Sequence, residues 1–390
     1  MAYSSGGRLP FESASKLGHL NVIESEWVQS LIKDFETNDV GDADNYENDI
    51  WESFDPSNVQ PLKHIWVADG SYVPVEENKK ELAFVKTALM TVEQSKIAGI
   101  DKEYPHPLKL QEIMKDSALF HATVFPLRNL KSAKGNIYDT VRHVIYDSMR
   151  NDEGGQYFET LKWIAYKKWD SQKNSSPSFE CPHCGTKVDA GIPYDQDTSI
   201  CPFCGKEVLL TDMVGFHLDM NEDNAPVSVA SSYMLIMEML MLFTVIRLQW
   251  LNRDPNLISN TLFIKDGPMM LNGQYSKLVP NIREFLNYAK NQGRPIHLVA
   301  SEKSGSFFDY LSLSSRFVKP EPGKIKYAVL NHGYIRRVIQ RAPDRGNPYG
   351  LRTNWGEKVF VFLDENTHMV LNMTTGGYEK GESYPSSSDI

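Results

Sequence analysis

The stretch His64-Ile-Trp-Val-Ala-Asp-Gly-Ser71 and its echo Leu262-Phe-Ile-Lys-Asp-Gly-Pro268 decide the fold. Each is an apolar run that closes on an acid followed by glycine, the pattern of a strand running into a turn. In open α/β sheets ligands collect outside the carboxyl ends of strands. Asp69 and Asp266 are therefore read as two strand-terminal carboxylates facing one crevice, a pairing that points to a divalent metal ion. Taken singly, Asp-Gly is also an ordinary turn dipeptide.

Working outward, strand-like and helix-like patterns alternate, which predicts an α/β sheet flanked by helices. Residues 82–92 read as a strand beside the first, although their length also allows a helix. Helical patterns are predicted over 109–120, 137–150 and 158–169, then over 231–251 and 279–291. Further strands are predicted over 261–265, 295–300, 325–330 and 358–363. The resulting organisation is an acidic N-terminal extension (1–60), a first part of the core (61–170), a cysteine-bearing insertion (171–215), and a second part of the core with C-terminal strands (216–390). An amphipathic helix is predicted over 22–35 within the extension, and the acidic run after it reads as a solvated loop or a docking surface.

The chain of 390 residues has a net charge of -9, with 41% hydrophobic and 23% charged residues, values that exclude disorder and a small disulfide scaffold as overall descriptions. Residues 1–60 hold 12 acids and 3 bases, so they alone sum to -9. The remaining 38 acids (50 minus 12) and 38 bases (41 minus 3) balance, and the body is free to carry a basic groove. The N-terminus shows no basic start followed by an apolar run, so no secretory signal is expected. The apolar stretch 233–251 is long enough for a bilayer, but Glu238 and Arg247 interrupt it, and it reads as a buried core helix rather than a membrane span.

Cys181-Pro-His-Cys184-Gly is followed, after sixteen residues, by Cys201-Pro-Phe-Cys204-Gly. Two such pairs place four thiolates around one tetrahedral zinc ion, and a full set of cysteines leaves no open position for a catalytic water. The site is read as structural, His183 as a surface residue, and the reducing cytoplasm as the simplest compartment.

Glu238 lies in Tyr233-Met-Leu-Ile-Met-Glu-Met-Leu-Met-Leu, with apolar neighbours on every helical face. A buried anion needs a cation or a metal. A metal shared with Asp69 and Asp266 is one answer, and a salt bridge to Arg247 or a lysine is the other. Carboxylate ligands suit magnesium or manganese, whose chemistry is phosphodiester hydrolysis by an activated water. Lys303, in Ser301-Glu-Lys-Ser-Gly-Ser, is placed to neutralise a phosphate oxygen.

The order of these pieces, Asp69-Gly-Ser, a helix carrying Glu238, Asp266-Gly, then Glu302-Lys303-Ser304, resembles the NurA nuclease family over residues 60–335. The resemblance implies an RNase H-like fold, to which the inserted zinc ribbon and the acidic N-terminal segment of this chain are additions, and Asp69, Glu238 and Asp266 as manganese or magnesium ligands with Lys303 near the substrate. It also implies degradation of DNA ends by a homodimer docked on a HerA-type hexameric ATPase, in end processing or anti-phage defence. The family adds a metal-site histidine from a final helical stretch. This chain closes on Glu382-Ser-Tyr-Pro-Ser-Ser-Ser-Asp-Ile, so either that end is missing or His332 or His368 substitutes.

Arg336, Arg337, Arg341, Arg345 and Arg352 fall within seventeen residues that hold one acid, Asp344. With Tyr334, Tyr349 and Trp355 interleaved, they suit phosphate contact and base stacking, or else form a solvated loop. No phosphate loop of the G-x-x-x-x-G-K-[ST] type occurs, so any translocation falls to a partner motor. The rival reading is a non-catalytic zinc-ribbon adaptor with a degenerate nuclease fold that binds DNA or caps an ATPase ring. An RNA-directed enzyme of the same fold is a third.

Overall fold

The computed structural model describes residues 50–93, 118–130, 132–252, 254–342 and 348–374, together with Glu26, Trp27 and Ser30. Two compact units divide the chain, Met1–Tyr46 and Glu47–Ile390. Of the first, the described residues Glu26, Trp27 and Ser30 are helical and exposed. The rest of the helix predicted over 22–35 lies outside the described residues.

In the second unit, β1 (Glu52–Phe54) precedes a meander of β2 (His64–Glu77), β3 (Lys80–Glu93) and β4 (Ala118–Arg128). Then come α1 (Ile137–Asn151) and α2 (Gln156–Ala165), the cysteine module with β5 (Phe179–Glu180), β6 (Lys187–Val188), β7 (Thr198–Ile200) and β8 (Glu207–Leu209), and α3 (Val227–Leu251). The chain continues through α4 (Pro255–Ser259), β9 (Thr261–Asp266), α5 (Val279–Asn291), β10 (His297–Glu302), α6 (Ser306–Ser314), β11 (Ile325–Val329), β12 (Glu357–Phe362) and β13 (His368–Met373). Among the described residues nine strands form one sheet in the order β1-β11-β12-β13-β10-β9-β2-β3-β4. The meander β2–β4 is antiparallel, β9 runs parallel to both β2 and β10, and the β10-β13-β12-β11-β1 half is antiparallel. The α/β expectation holds as a large mixed sheet flanked by helices.

Two expectations are corrected and one open alternative is decided in favour of the strand. Residues 118–120 open β4 rather than end a helix, because they pair with Leu89 and its neighbours on β3; 109–117 lie outside the described residues. Residues 82–92 are strand. The segment 52–54 hydrogen-bonds to β11 and so belongs to the sheet, which shortens the extension expected to reach residue 60.

Helix α3 is apolar all round because it is covered along most of its length, as such helices must be, with Leu248 and Leu251 exposed near its end. It packs across β2 and β3 on one side and α2 on the other, so the core-helix expectation is met. Its Arg247 donates to Thr160 Oγ1 at 3.1 Å and to Gln156 Oε1 at 2.6 Å on α2. That guanidinium is thereby committed away from Glu238.

The cysteine module is fastened to the helical layer. Arg142 of α1 holds Asp212 in a buried two-pronged pair at 2.8 and 2.9 Å, and Lys162 of α2 reaches Asp197 at 2.8 Å. Lys277 meets Glu180 at 2.9 Å. Cys181 and Cys201 are buried within the same hydrophobic cluster as α1 and α3.

Candidate metal and nuclease site

Strand alternation decides which side chains can meet. Ala68, Lys265 and Ala300 share one register row across β2, β9 and β10, and all three are fully buried. One residue further along lie Asp69, Asp266 and Ser301, of which the last two are paired. Successive residues face opposite sides of a sheet, so Asp69 and Asp266 stand abreast on the open side while Lys265 points at α3. In keeping with this, Asp69 is exposed and Asp266 half-buried.

Asp266 ends its strand as expected, and Gly267 makes the turn in a left-handed conformation (φ 73°). Asp69 does not. Strand β2 runs on to Glu77, nine residues past the last partner it shares with β9, and Asp69 and Gly70 pair with Ala88 and Thr87 in mid-ladder. The glycine has a different purpose. A Cβ at Gly70 would lie 2.6 Å from Met234 Cγ and 2.8 Å from Glu238 Oε1, so glycine here allows α3 to approach the strand. Gly70→Ala is therefore expected to cost about 1–3 kcal/mol of stability and to dislodge Glu238. Denaturant unfolding checks this, and an unchanged midpoint would show that the helix yields freely.

Glu238 is buried, as its apolar neighbours require, and it does have a cation. Lys265 Nζ donates to Glu238 Oε2 at 2.7 Å and to the Asp266 carbonyl at 2.6 Å. Burial pushes the Glu238 carboxyl up from its ordinary range, Lys265 pulls it back, and the negative charges of Asp69 and Asp266 push it up again. The three acids thus share one electrostatic neighbourhood. Lys303 Nζ sits 2.8 Å from Asp266 Oδ1, a bond that raises its pKa, with Asp69 adding to the effect. Asp69 itself accepts from the Gly70 amide at 2.8 Å.

The structure therefore gathers Asp69, Glu238, Asp266 and Lys303 at one end of the parallel strands. Among the described residues, however, the only set of three or more metal-binding side chains whose ligand atoms all lie within 4.8 Å is the four cysteines. The three carboxylates are split by the sheet, two on its open side and one against α3.

Lys265 escaped sequence reasoning, although its signal was present. Thr261, Phe263 and Lys265 alternate inward along β9, so a lysine there had to be buried and paired. Glu302, next to Lys303, accepts from Lys358 and Asn372. That makes a second buried lysine–carboxylate pair, since Lys358 is itself buried.

The arginine segment departs from expectation. Arg336 and Arg337 lie on a π-helical turn, Ile335–Ile339, and Arg345 lies outside the described residues. Arg337, Arg341 and Arg352 are exposed. Tyr334 and Trp355 are buried, with the Tyr334 hydroxyl 2.7 Å from that of Tyr310, so neither ring offers a stacking face. Tyr349 packs near Phe307 and beneath Arg336. Of the two histidines, His332 is buried, while His368 bonds Ser312 at 3.0 Å and stacks on Phe308.

In the cysteine module, Sγ–Sγ distances are 3.8 Å for Cys181–Cys204 and 3.9 Å for Cys184–Cys201. A tetrahedron with arms of about 2.3 Å has edges of about 3.8 Å. Each pair forms the same turn, Gly185 N to Cys181 O and Gly205 N to Cys201 O, at 2.9 and 3.0 Å. The four thiols fit one tetrahedral metal ion. His183 turns away from it, its Nε2 lying 2.9 Å from the Glu207 carbonyl.

No family model matches the chain, and no curated protein does. Among solved structures it is similar to the NurA nuclease from Sulfolobus solfataricus, at 8% identity and a TM-score of 0.30, over 96% of this chain and 83% of that one. It is also similar to a second structure described as NurA, at 10% identity and a TM-score of 0.26, over 94% and 88%. Likeness of that degree carries no weight for the chemistry, which must come from the side chains themselves.

Proposed function

We propose that this chain is a metal-dependent nuclease built on an RNase H-like core, with a structural zinc ribbon between its two parts. The observation that carries the reading is the juxtaposition of Asp69 and Asp266 on adjacent parallel strands, open to solvent, with Glu238 behind them and Lys303 beside them. The antiparallel meander followed by two strands parallel to its first member supports the RNase H-like assignment.

Paired carboxylates are the oxygen donors that magnesium and manganese take. Burial is the main cause that lifts the Glu238 carboxyl, and the charges of Asp69 and Asp266 add to it, a contribution that a cation at those two acids would relieve. Asp69 and Asp266 would hold the ion, which when bound supplies an activated water and charge stabilisation for the departing oxygen. Lys303, mostly exposed and paired among the described residues with Asp266, would swing from that carboxylate onto a phosphate oxygen. Arg337, Arg341 and Arg352 offer further phosphate contacts. DNA ends as substrate, a homodimer, and a HerA-type hexameric ATPase as the motor belong to this reading, as does a role in end processing or anti-phage defence. The cysteines would hold zinc, the ion that four thiolates select.

The lysines also favour a second reading. Lys265 neutralises Glu238 and Lys303 engages Asp266, an arrangement that a non-catalytic adaptor binding DNA or capping an ATPase ring could keep. One experiment separates the two. End-labelled linear duplex DNA, single-stranded DNA and matched RNA are incubated with manganese, magnesium or neither, with and without a HerA-type partner. Metal-dependent release of label from DNA is the expected outcome. A folded protein that binds DNA or the partner yet cuts nothing under any condition would establish the adaptor.

A further inference from the structure

We propose that Lys265 is a built-in cation that takes the place of a second metal ion, holding Glu238 as its counter-ion and leaving the acidic cluster to bind one divalent ion, between Asp69 and Asp266. The inference rests on the nuclease reading above and deepens it.

Three observations converge on Lys265. Its ammonium is fully buried, 2.7 Å from Glu238 Oε2, and no other basic side chain is paired with that carboxylate among the described residues. Arg247, the remaining charge on α3, is spent on Thr160 and Gln156, and Lys303 is spent on Asp266 across the strand. Secondly, the ammonium donates to the main-chain carbonyl of Asp266 at 2.6 Å, tying the counter-ion pair to the residue that carries the outward carboxylate. Lys265 is thus a positioning residue for Asp266 as well as the neutraliser of Glu238. Finally, the sheet separates the two sets of oxygens. Asp69 and Asp266 follow the buried row of Ala68, Lys265 and Ala300 and face away from it, while Gly70 lets Glu238 Oε1 settle against the backbone on the inner side.

A lysine in that position has a chemical consequence. Two ions bridging three carboxylates would need Glu238 to move outward, which would strip a buried ammonium of its partner, and removing one member of a buried pair is strongly unfavourable. A fixed ammonium supplies one positive charge where a divalent ion would bring two, enough to balance Glu238 with no ion to lose, so the outer site stays acidic enough for one ion while the interior remains neutral.

The test counts manganese by electron paramagnetic resonance, titrating the full-length protein with its cysteine-bound metal in place. Soft thiolates do not exchange zinc for manganese readily. The wild type is expected to bind one ion per chain. Asp69→Asn and Asp266→Asn should each weaken it at least about tenfold, the lower end of what disturbing a metal's surroundings costs. Glu238→Gln, which keeps the shape and still accepts from Nζ, should leave the count at one and the affinity within about threefold. Lys265→Met should add a second manganese that the Lys265→Met/Glu238→Gln double variant lacks. Should Lys265→Met fail to fold, Glu238→Gln decides the matter alone. Two ions on the wild type, or loss of an ion in Glu238→Gln, would overturn the role of Lys265 and leave the nuclease standing. No manganese on the wild type would remove the nuclease reading, and this inference with it.

Discussion

Asp69→Ala is expected to lower metal-dependent cleavage about 10²- to 10³-fold while leaving the protein folded. The magnitude follows from the charge stabilisation a bound ion supplies, several kcal/mol, at about 1.4 kcal/mol per tenfold change in rate. The side chain is exposed and accepts from the neighbouring Gly70 amide, so its loss opens no cavity and the melting temperature should hold. Asp266→Ala should match it in rate but behave differently in one respect. It releases Lys303 from its 2.8 Å partner, so non-specific DNA binding should strengthen as cleavage falls. Cleavage rates, DNA affinity and thermal unfolding of both variants make the comparison. Full activity in Asp69→Ala would remove these carboxylates from the chemistry and with them the basis of the nuclease reading.

Loss of the cysteine-bound metal is expected to have the largest effect on stability. A structural zinc ion contributes on the order of 10–16 kcal/mol to small modules of this kind, comparable with the whole stability of a typical domain, about 5–15 kcal/mol. Here the damage should spread. Cys181 and Cys201 are buried in the common core, and the Arg142–Asp212 pair loses its geometry once Asp212 is no longer held in place. Cys201→Ser is therefore expected to release the metal and lower the melting temperature by on the order of 10 °C, with early proteolysis confined to 171–215. Elemental analysis alongside thermal unfolding checks both halves. A metal-free variant that melts with the wild type would show that the four thiols are incidental to the fold.

What was legible in the sequence is what local periodicity can encode. The helix over 279–291, the core helix ending at Leu251 and the cysteine turns all depend on residues within a few positions of one another. Asp69 was misread for the same reason. Asp-Gly is a strong local turn signal, but fourteen residues of pairing between β2 and β3 outweigh it, and the glycine answers to α3, more than 160 residues away, rather than to its neighbours. The three-residue β1 is written only in its partner β11, and β13, which follows it into the sheet from the far end of the chain, went unnoticed. The four residues expected at the site do come together. How the sheet partitions them could be read only once the register was known, because a shift of one residue exchanges the two faces.

The overrun of β2 beyond β9 also gives the acids a setting. Nine residues at about 3.4 Å each carry the β2–β3 hairpin roughly 30 Å past the row where the parallel strands stop, so Asp69 lies at the foot of a ledge instead of on a rim. The ledge is apolar on its exposed side, with Val73, Val75, Phe84 and Val124 uncovered, and Lys86 resting over Phe120. For a polymer bound at Asp69 and Asp266, this makes the two directions of approach unequal. Along the ledge it meets a surface suited to bases and sugars, and beside Asp266 the Lys303 ammonium, which suits a phosphate. A strand laid across the acids would then have a preferred heading set by the fold itself.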